Sequence, residues 1–210
     1  LKKFLISFGV SESNIIVIDP WVEFELENNI KLLIIPQIQS NSNDIESDTD
    51  YDLDTAVFIK YKDQCFFNQV DMALDDEHLS QVYSKAKSIL NFNKINLYSR
   101  VFGAGSEYPQ CFLNINRASE SRRVKNSCLE EFCKSTLVTN PDYIIPAGAS
   151  YQLSSERKIL EKYLAVPSDN EIAKFWKNNM NKCSKTLLAF SEGGGKINLS
   201  EIPALDKLFI

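Results

Sequence analysis

Residues 54–71 constrain the fold of this chain more than any other stretch. Two short runs rich in apolar and aromatic side chains flank Lys62, Asp63 and Gln64, which is the pattern of a β-hairpin. The second run stops at Asp71. In a layered α/β sheet, ligands gather at the carboxyl ends of strands, so this acidic residue is placed where a binding site forms. The hairpin therefore predicts a sheet that carries a carboxylate at its edge.

The composition favours a globular chain and disfavours two kinds of partner. The 210 residues are 44% hydrophobic, which is enough for one substantial core. The net charge of -5 disfavours a nucleic acid, because that affinity rests on Lys and Arg neutralising phosphates. No apolar run reaches the roughly 18 residues of a membrane span, and the N-terminus lacks the layout of a signal peptide. We therefore expect no nucleic acid, no membrane span and a cytoplasmic location, where the five cysteines stay reduced.

Apolar spacing predicts the other secondary structure. Segments 14–21 and 29–36 are expected to pair as antiparallel strands, with Asn28 and Asn29 in the hairpin turn. Acidic residues early and lysines late predict an amphipathic helix over 75–90. The remaining predicted elements are a helix ended by Gly9, strands at 95–98, 142–150 and 196–199, and helices at 120–134, 154–164 and 170–179.

Two polar segments set the expected domain organisation. Residues 37–52 are rich in Ser, Asn and Asp and predict a mobile loop, with an active-site lid as the functional alternative. The glycines at 193–195 predict a linker. We expect one domain over residues 1–185 and a C-terminal extension over 186–210. Because the chain starts with Leu1 instead of Met, a longer parent protein is expected.

Each of three predicted strands is followed by a loop, and we expect the three loops to lie together at one edge of the sheet, which we call the rim. They end at Asp71, Tyr98 and Pro146. The loop at 102–109 contains two glycines that let backbone amides approach a ligand, but it has no nucleotide-binding fingerprint. The candidate substrate-binding residues at this rim are Asp54, Asn68, Ser106, Tyr108 and Tyr151.

The candidate residues also have plainer interpretations. Asp71 can cap the following helix, and a buried tyrosine needs only one partner for its hydroxyl. Arg122 and Arg123 either clamp a phosphate or carboxylate or form a solvated helix face. His78 is interpreted as a solvated residue of the helix over 75–90, not as a metal ligand.

The order of these motifs resembles the carboxyl-terminal half of a metallo-β-lactamase-fold protein. The segments that carry the resemblance are Asn-Gln-Val-Asp at 68–71, Gly-Ala-Gly-Ser-Glu-Tyr-Pro at 103–109 and Tyr-Ile-Ile-Pro-Ala-Gly at 143–148. They are most similar to the branch of CMP-sialic acid hydroxylase-like and ascorbate-6-phosphate lactonase-like proteins. The resemblance implies an α/β (α+β) fold, an αββα sandwich of metallo-β-lactamase type that is incomplete at the N-terminus.

The resemblance also implies a metal site and a reaction class. It makes Asp71 a ligand of a divalent metal (zinc, or iron or manganese) whose bound water attacks a small-molecule ester, lactone or phosphodiester. The chain lacks the family's H-x-H-x-D-H motif, and Ala147 and Gly148 stand where a histidine usually follows the strand. We therefore expect a metallo-hydrolase-like domain that is incomplete or inactive as this chain and is completed by an N-terminal segment or a second copy, or a degenerate member without metal. The alternative is a non-catalytic α/β module that binds a sugar-nucleotide-like ligand or a partner protein.

Overall fold

The architecture is a single mixed sheet with helices packed on one face. The computed structural model describes residues 2–38, 54–148, 151–180 and 184–190. Within them, seven strands lie side by side in the order of the sequence: β1 (Phe24–Leu26), β2 (Ile30–Ile35), β3 (Ala56–Tyr61), β4 (Gln64–Gln69), β5 (Leu97–Val101), β6 (Tyr143–Ala147) and β7 (Leu187–Leu188). Strands β1 to β4 are antiparallel, whereas β4 to β7 are parallel.

Helices join the parallel strands, and polar caps fix their ends. The described residues form α1 (Lys2–Ser7), α2 (Asp76–Leu90), α3 (Arg117–Thr139) and α4 (Asp169–Asn179), with 3-10 segments at Glu12–Asn14, Glu27–Asn29 and Ser155–Tyr163. Asp75 accepts the backbone amide of His78 at the start of α2. Ser168 and Glu171 form a reciprocal capping box at the start of α4. Helix α3 ends where Asn140 takes the left-handed conformation.

The helix-covered face of the sheet carries the main core. Phe58, Phe67 and Tyr98 lie opposite one another on β3, β4 and β5. Their rings stack with centroid distances of 4.0 Å and 5.1 Å. Above them, Phe132 of α3 meets Trp176 of α4 edge to face at 5.9 Å. Buried residues of α2, α3 and α4 all belong to this core, as expected when sequential parallel strands are joined by right-handed crossovers.

The opposite face of the sheet is apolar but mostly half-buried. Leu32, Ile59, Phe66, Leu97 and Tyr143 form one row across β2 to β6. The first four are half-buried and the fifth is buried. Side chains alternate along a strand, so this row points away from the helices. The buried residues of α2, α3 and α4 belong to the cluster on the other face, and α1 contributes no buried residue.

The predicted strand over 14–21 is wrong. Residues 15–19 have no strand pairing, and Ile16 and Val17 are both 64% exposed. The turn at Asn28 and Asn29 is present, with φ of 64° and 61°. Because that turn is tight, it pairs the residues directly before it, and β1 is therefore Phe24–Leu26.

The other predicted elements are largely found. The mixed α/β class is confirmed, and so are the hairpin within 54–71 and the helix over 75–90. Segment 154–164 forms a 3-10 segment instead of an α-helix. Residue 187, where β7 begins, lies two residues past the domain boundary expected at 185. Most of the expected loop over 37–52 and the predicted strand at 196–199 lie outside the described residues. None of the described helices combines the length and apolar content needed to cross a membrane.

Replacing the central ring of the stack tests the core. Phe67 is 0% exposed, so Phe67→Ala is expected to lower the free energy of unfolding by about 3–5 kcal/mol through lost burial and a residual cavity. Urea unfolding followed by circular dichroism measures the change. The control is Phe8→Ala, which removes a ring that is 73% exposed and should change stability by less than about 0.5 kcal/mol. Equal losses in the two variants would contradict this core.

Candidate functional site

Three strand ends meet at the carboxyl edge of the parallel half of the sheet. Gly148, just after β6, has a φ of +74°. A Cβ atom built on it would lie 2.8 Å from Cγ1 of Val70, after β4, and 3.8 Å from Cγ2 of Val101, at the end of β5. The ends of β4, β5 and β6 therefore approach one another closely at Gly148. The edge is the rim on which the candidate site was expected.

The two candidate acidic residues lie at the open end of the β3–β4 hairpin. Val57 pairs with Asn68, so Asp54 precedes the start of β3 where Asp71 follows the end of β4. Both residues are exposed. The Asn68 side chain accepts the backbone amide of Val70 at 3.3 Å and so is occupied by its own turn. The edge thus presents two carboxylates to solvent.

Ser106 and Tyr151 are brought together, and a residue that the sequence did not single out joins them. The Tyr151 hydroxyl donates to the Ser106 carbonyl at 2.9 Å. The Gln110 amide donates to that carbonyl at 2.7 Å and to the Tyr151 hydroxyl at 3.0 Å. Burial raises the pKa of Tyr151, and the hydrogen bond from Gln110 opposes the rise. The tyrosine hydroxyl therefore holds the loop after β5 to the segment after β6.

Tyr108 belongs to a separate surface cluster. Its hydroxyl donates to the Glu120 carboxylate, which also accepts from Arg123 Nε at 2.9 Å. The hydrogen bond with Glu120 raises the pKa of Tyr108, and the same bond, together with Arg123, lowers the pKa of Glu120. Arg123 is thus engaged by a neighbouring carboxylate, which fits the interpretation of a polar helix face better than that of a phosphate clamp.

Sequence reasoning also missed a buried arginine on β5. Arg100 is only 3% exposed and lies beside Gln69 of β4. It lines a cavity of about 260 Å³ together with residues 73–76, Glu131 and Lys134. We call this space the Arg100 cavity. The alternation of β5 offers a signal in hindsight, because a lone Arg follows Tyr98 on the side that faces the helices.

The described residues do not fit a complete metal site. No group of three or more His, Cys, Asp or Glu side chains among them is placed to hold an ion. His78 is 9% exposed, so its expected solvation is wrong. Its Nδ1 lies 2.6 Å from Asp75 Oδ2, because the capping geometry at the start of α2 brings the two side chains together. This histidine is part of the helix cap.

Comparisons of this chain with protein-family models, with curated proteins and with solved structures give no match. The fold and the rim define a mixed α/β protein whose strand ends and acidic residues share one edge. The resemblance to metallo-β-lactamase-fold proteins therefore stays a prediction.

Gly148→Ala tests the contact between the three strand ends. The added Cβ meets Val70 at 2.8 Å and the φ is +74°, so both sterics and backbone strain oppose it. We expect a loss of about 1–3 kcal/mol in the free energy of unfolding, measured by urea titration. The matched control is Gly105→Ala, where nothing lies within 4 Å of the new Cβ. Adding Val70→Ala to Gly148→Ala should recover only the steric part. No loss in Gly148→Ala would contradict the contact.

Asp75→Ala and Asp75→Asn test the charge on the helix cap. Burial raises the pKa of Asp75, but hydrogen bonds from the backbone and ring of His78 outweigh it and the pKa lies below the ordinary 3.8. A depressed pKa contributes stability that is present above the unfolded value and is lost as pH falls through the folded value. Asp75→Ala should therefore cost about 1 kcal/mol at pH 7 and less in acid. Asp75→Asn keeps the cap, so its stability relative to the wild type should improve as pH falls from about 5 through the folded pKa of Asp75. Urea unfolding at several pH values measures both, and a constant difference would contradict the charge assignment.

Proposed function

We propose that this chain is the carboxyl-terminal half of a metallo-β-lactamase-type αββα sandwich and that it is metallo-hydrolase-like, without hydrolysing anything by itself. The reaction class proposed for the complete protein is hydrolysis of an ester, a lactone or a phosphodiester. Asp71 is the residue proposed to contribute a metal-binding carboxylate. No catalytic step is assigned to this chain, because its described residues do not fit a whole metal site.

The unequal faces of the sheet carry this proposal. One face is covered by α2, α3 and α4. The other carries a row of apolar side chains, of which four are half-buried and Tyr143 is buried. In an αββα sandwich, each sheet has helices on its outer face and packs its inner face against the second sheet. The row from Leu32 to Tyr143 has the apolar character that such an inner face requires. The carboxyl edge with Asp54 and Asp71 is where a shared site would open.

A second candidate function is supported by the geometry at Gly148. A side chain there would meet Val70, so a histidine ligand does not fit at this position. A member of the class that lacks this metal-binding histidine is expected to bind its small molecule without hydrolysing it. The second candidate is therefore a non-catalytic α/β module for a sugar-nucleotide-like ligand or a partner protein. It predicts a ligand-induced rise in melting temperature that chelators do not affect.

Metal analysis tests the first candidate. We expect this chain to retain less than one metal per chain after dialysis against zinc or manganese. A longer chain that carries the residues encoded before Leu1 should retain about one, because it supplies the remaining ligands. In that longer chain, Asp71→Asn should weaken metal binding by roughly 100-fold or more, measured by competition with a chelating dye.

The control for this experiment lies at the other end of the same hairpin. Asp63 is in the exposed turn between β3 and β4, so Asp63→Asn changes the same charge and should leave metal affinity unchanged. A longer chain without metal, or equal affinities in the two variants, would refute the role of Asp71 and favour the second candidate.

A further inference from the structure

Arg100 is a buried cation without a carboxylate partner among the described residues. Its Nη1 donates to Gln69 Oε1 at 2.9 Å and to the Tyr98 hydroxyl at 3.3 Å. Its Nη2 donates to the Leu74 carbonyl at 3.2 Å. A guanidinium has five N–H donors, so these bonds leave one on Nη2 and the one on Nε. Within the described chain, neither has an acceptor.

The neighbouring side chain adds a third unused donor. Gln69 is 0% exposed, and its Oε1 accepts from both Arg100 and Tyr98. The contact with Arg100 fixes the orientation of the Gln69 amide, because turning the amide over would place its NH2 group against the guanidinium, which can only donate. Gln69 Nε2 is consequently buried with no hydrogen-bond partner among the residues that the structure describes. Buried polar groups are normally satisfied and buried charges normally paired. This part of the interior has too many donors and too few acceptors.

The Arg100 cavity gives the guanidinium of Arg100 access to a ligand. Its volume of about 260 Å³ is enough for a small molecule, since a water takes about 30 Å³. The first turn of α2 forms one wall, with Asp75 and Asp76, and α3 supplies Lys134 on the other. The start of this 15-residue helix carries a partial positive charge. The guanidinium, the lysine and the helix start all favour an anion.

Acidic side chains limit the charge that the anion can carry. Asp75 is committed to the cap, where its two oxygens meet the backbone and ring of His78 at 2.9 Å and 2.6 Å. Asp76 and Glu131 are exposed residues that also line the cavity. They repel a multiply charged ligand such as a nucleoside triphosphate. They tolerate a ligand with one oxyanion and a neutral or positively charged remainder.

We propose that the Arg100 cavity binds a small molecule through one oxyanion, a carboxylate or a phosphate, which accepts hydrogen bonds from Nη2 and Nε of Arg100. Asp76 and Glu131 face the rest of the ligand and favour an ammonium or hydroxyl group there. The site requires no metal. Its failure would leave the proposal for Asp71 intact, and the reverse also holds.

Thermal unfolding of the metal-free chain tests the oxyanion site. The probes are sodium acetate, sodium phosphate and glycine, each compared with sodium chloride at equal ionic strength. Acetate or phosphate should raise the melting temperature saturably, by about 4 °C at a tenfold excess over Kd. The stronger of the two identifies carboxylate or phosphate as the source of the oxyanion. Tighter binding of glycine than of acetate supports recognition of an ammonium group. Rises no larger than in chloride for every probe would overturn the proposal.

Variants at the cavity locate the response. Arg100→Met removes the donors and should abolish the rise. Two exposed residues that line the Arg100 cavity give variants that leave the core unchanged. Glu131→Gln should lower Kd about threefold and Lys134→Gln should raise it about threefold, as expected for partly screened charges. The control is Arg122→Met, an exposed arginine on α3, which should leave Kd unchanged. An unchanged Kd in both Glu131→Gln and Lys134→Gln would refute the site. So would an undiminished rise in melting temperature in a folded Arg100→Met variant.

Discussion

Strand β4 is the constraint on which the rest of the structure depends. It is antiparallel to β3 on one side and parallel to β5 on the other. Phe67 occupies its centre, and the ring stacks on Phe58 and Tyr98 of these two neighbours. The stack locks the register of both pairings, because a slip of one residue would move every side chain of the strand to the other face. Strand β4 therefore joins the antiparallel half of the sheet, β1 to β4, to the parallel half, β4 to β7.

The same register decides what the carboxyl edge contains. Gln69 lies two residues beyond Phe67 and pairs with Arg100 of β5. Both side chains are buried beneath the helices, because they lie on the same face of the sheet as the ring stack. One residue further, Val70 points the other way and meets Gly148. Asp71 follows, where pairing has ended and solvent begins. A buried donor cluster and an exposed carboxylate therefore lie within three residues of each other at one strand end.

Local signals in the sequence were enough to predict the elements that local physics determines. The hairpin over 54–71 and the helix over 75–90 follow from alternation, turn residues and charged helix ends. The strand expected over 14–21 failed because apolar content alone does not provide a pairing partner, and the turn at Asn28 and Asn29 selects its immediate neighbours. The 3-10 form of 154–164 was likewise not predicted, since apolar spacing does not distinguish the two helix types over about three turns.

The candidate site divides in the same way. Convergence of three loops was predictable because the ends of parallel strands share an edge, and the contact of Val70 with Gly148 follows from it. The features that depend on long-range contacts were not predictable. Gln110, Arg100 and the burial of His78 each require knowing which side chain lies opposite across the sheet or the helix cap.

The burial of Arg100 is not explained by packing alone. Within the described chain, Arg100 hydrogen-bonds to an amide, a hydroxyl and a carbonyl but to no carboxylate. Such an arginine costs more to bury than an apolar side chain of similar size. The chain could hold the same strands together with a methionine at this position, as it does with apolar residues in the rows beside it. This charge lies on the wall of a cavity and beside the Gln69 amide nitrogen, which has no partner in the described chain. An anion that binds from outside explains its burial better than the fold itself does. The helix-covered face therefore serves more than packing.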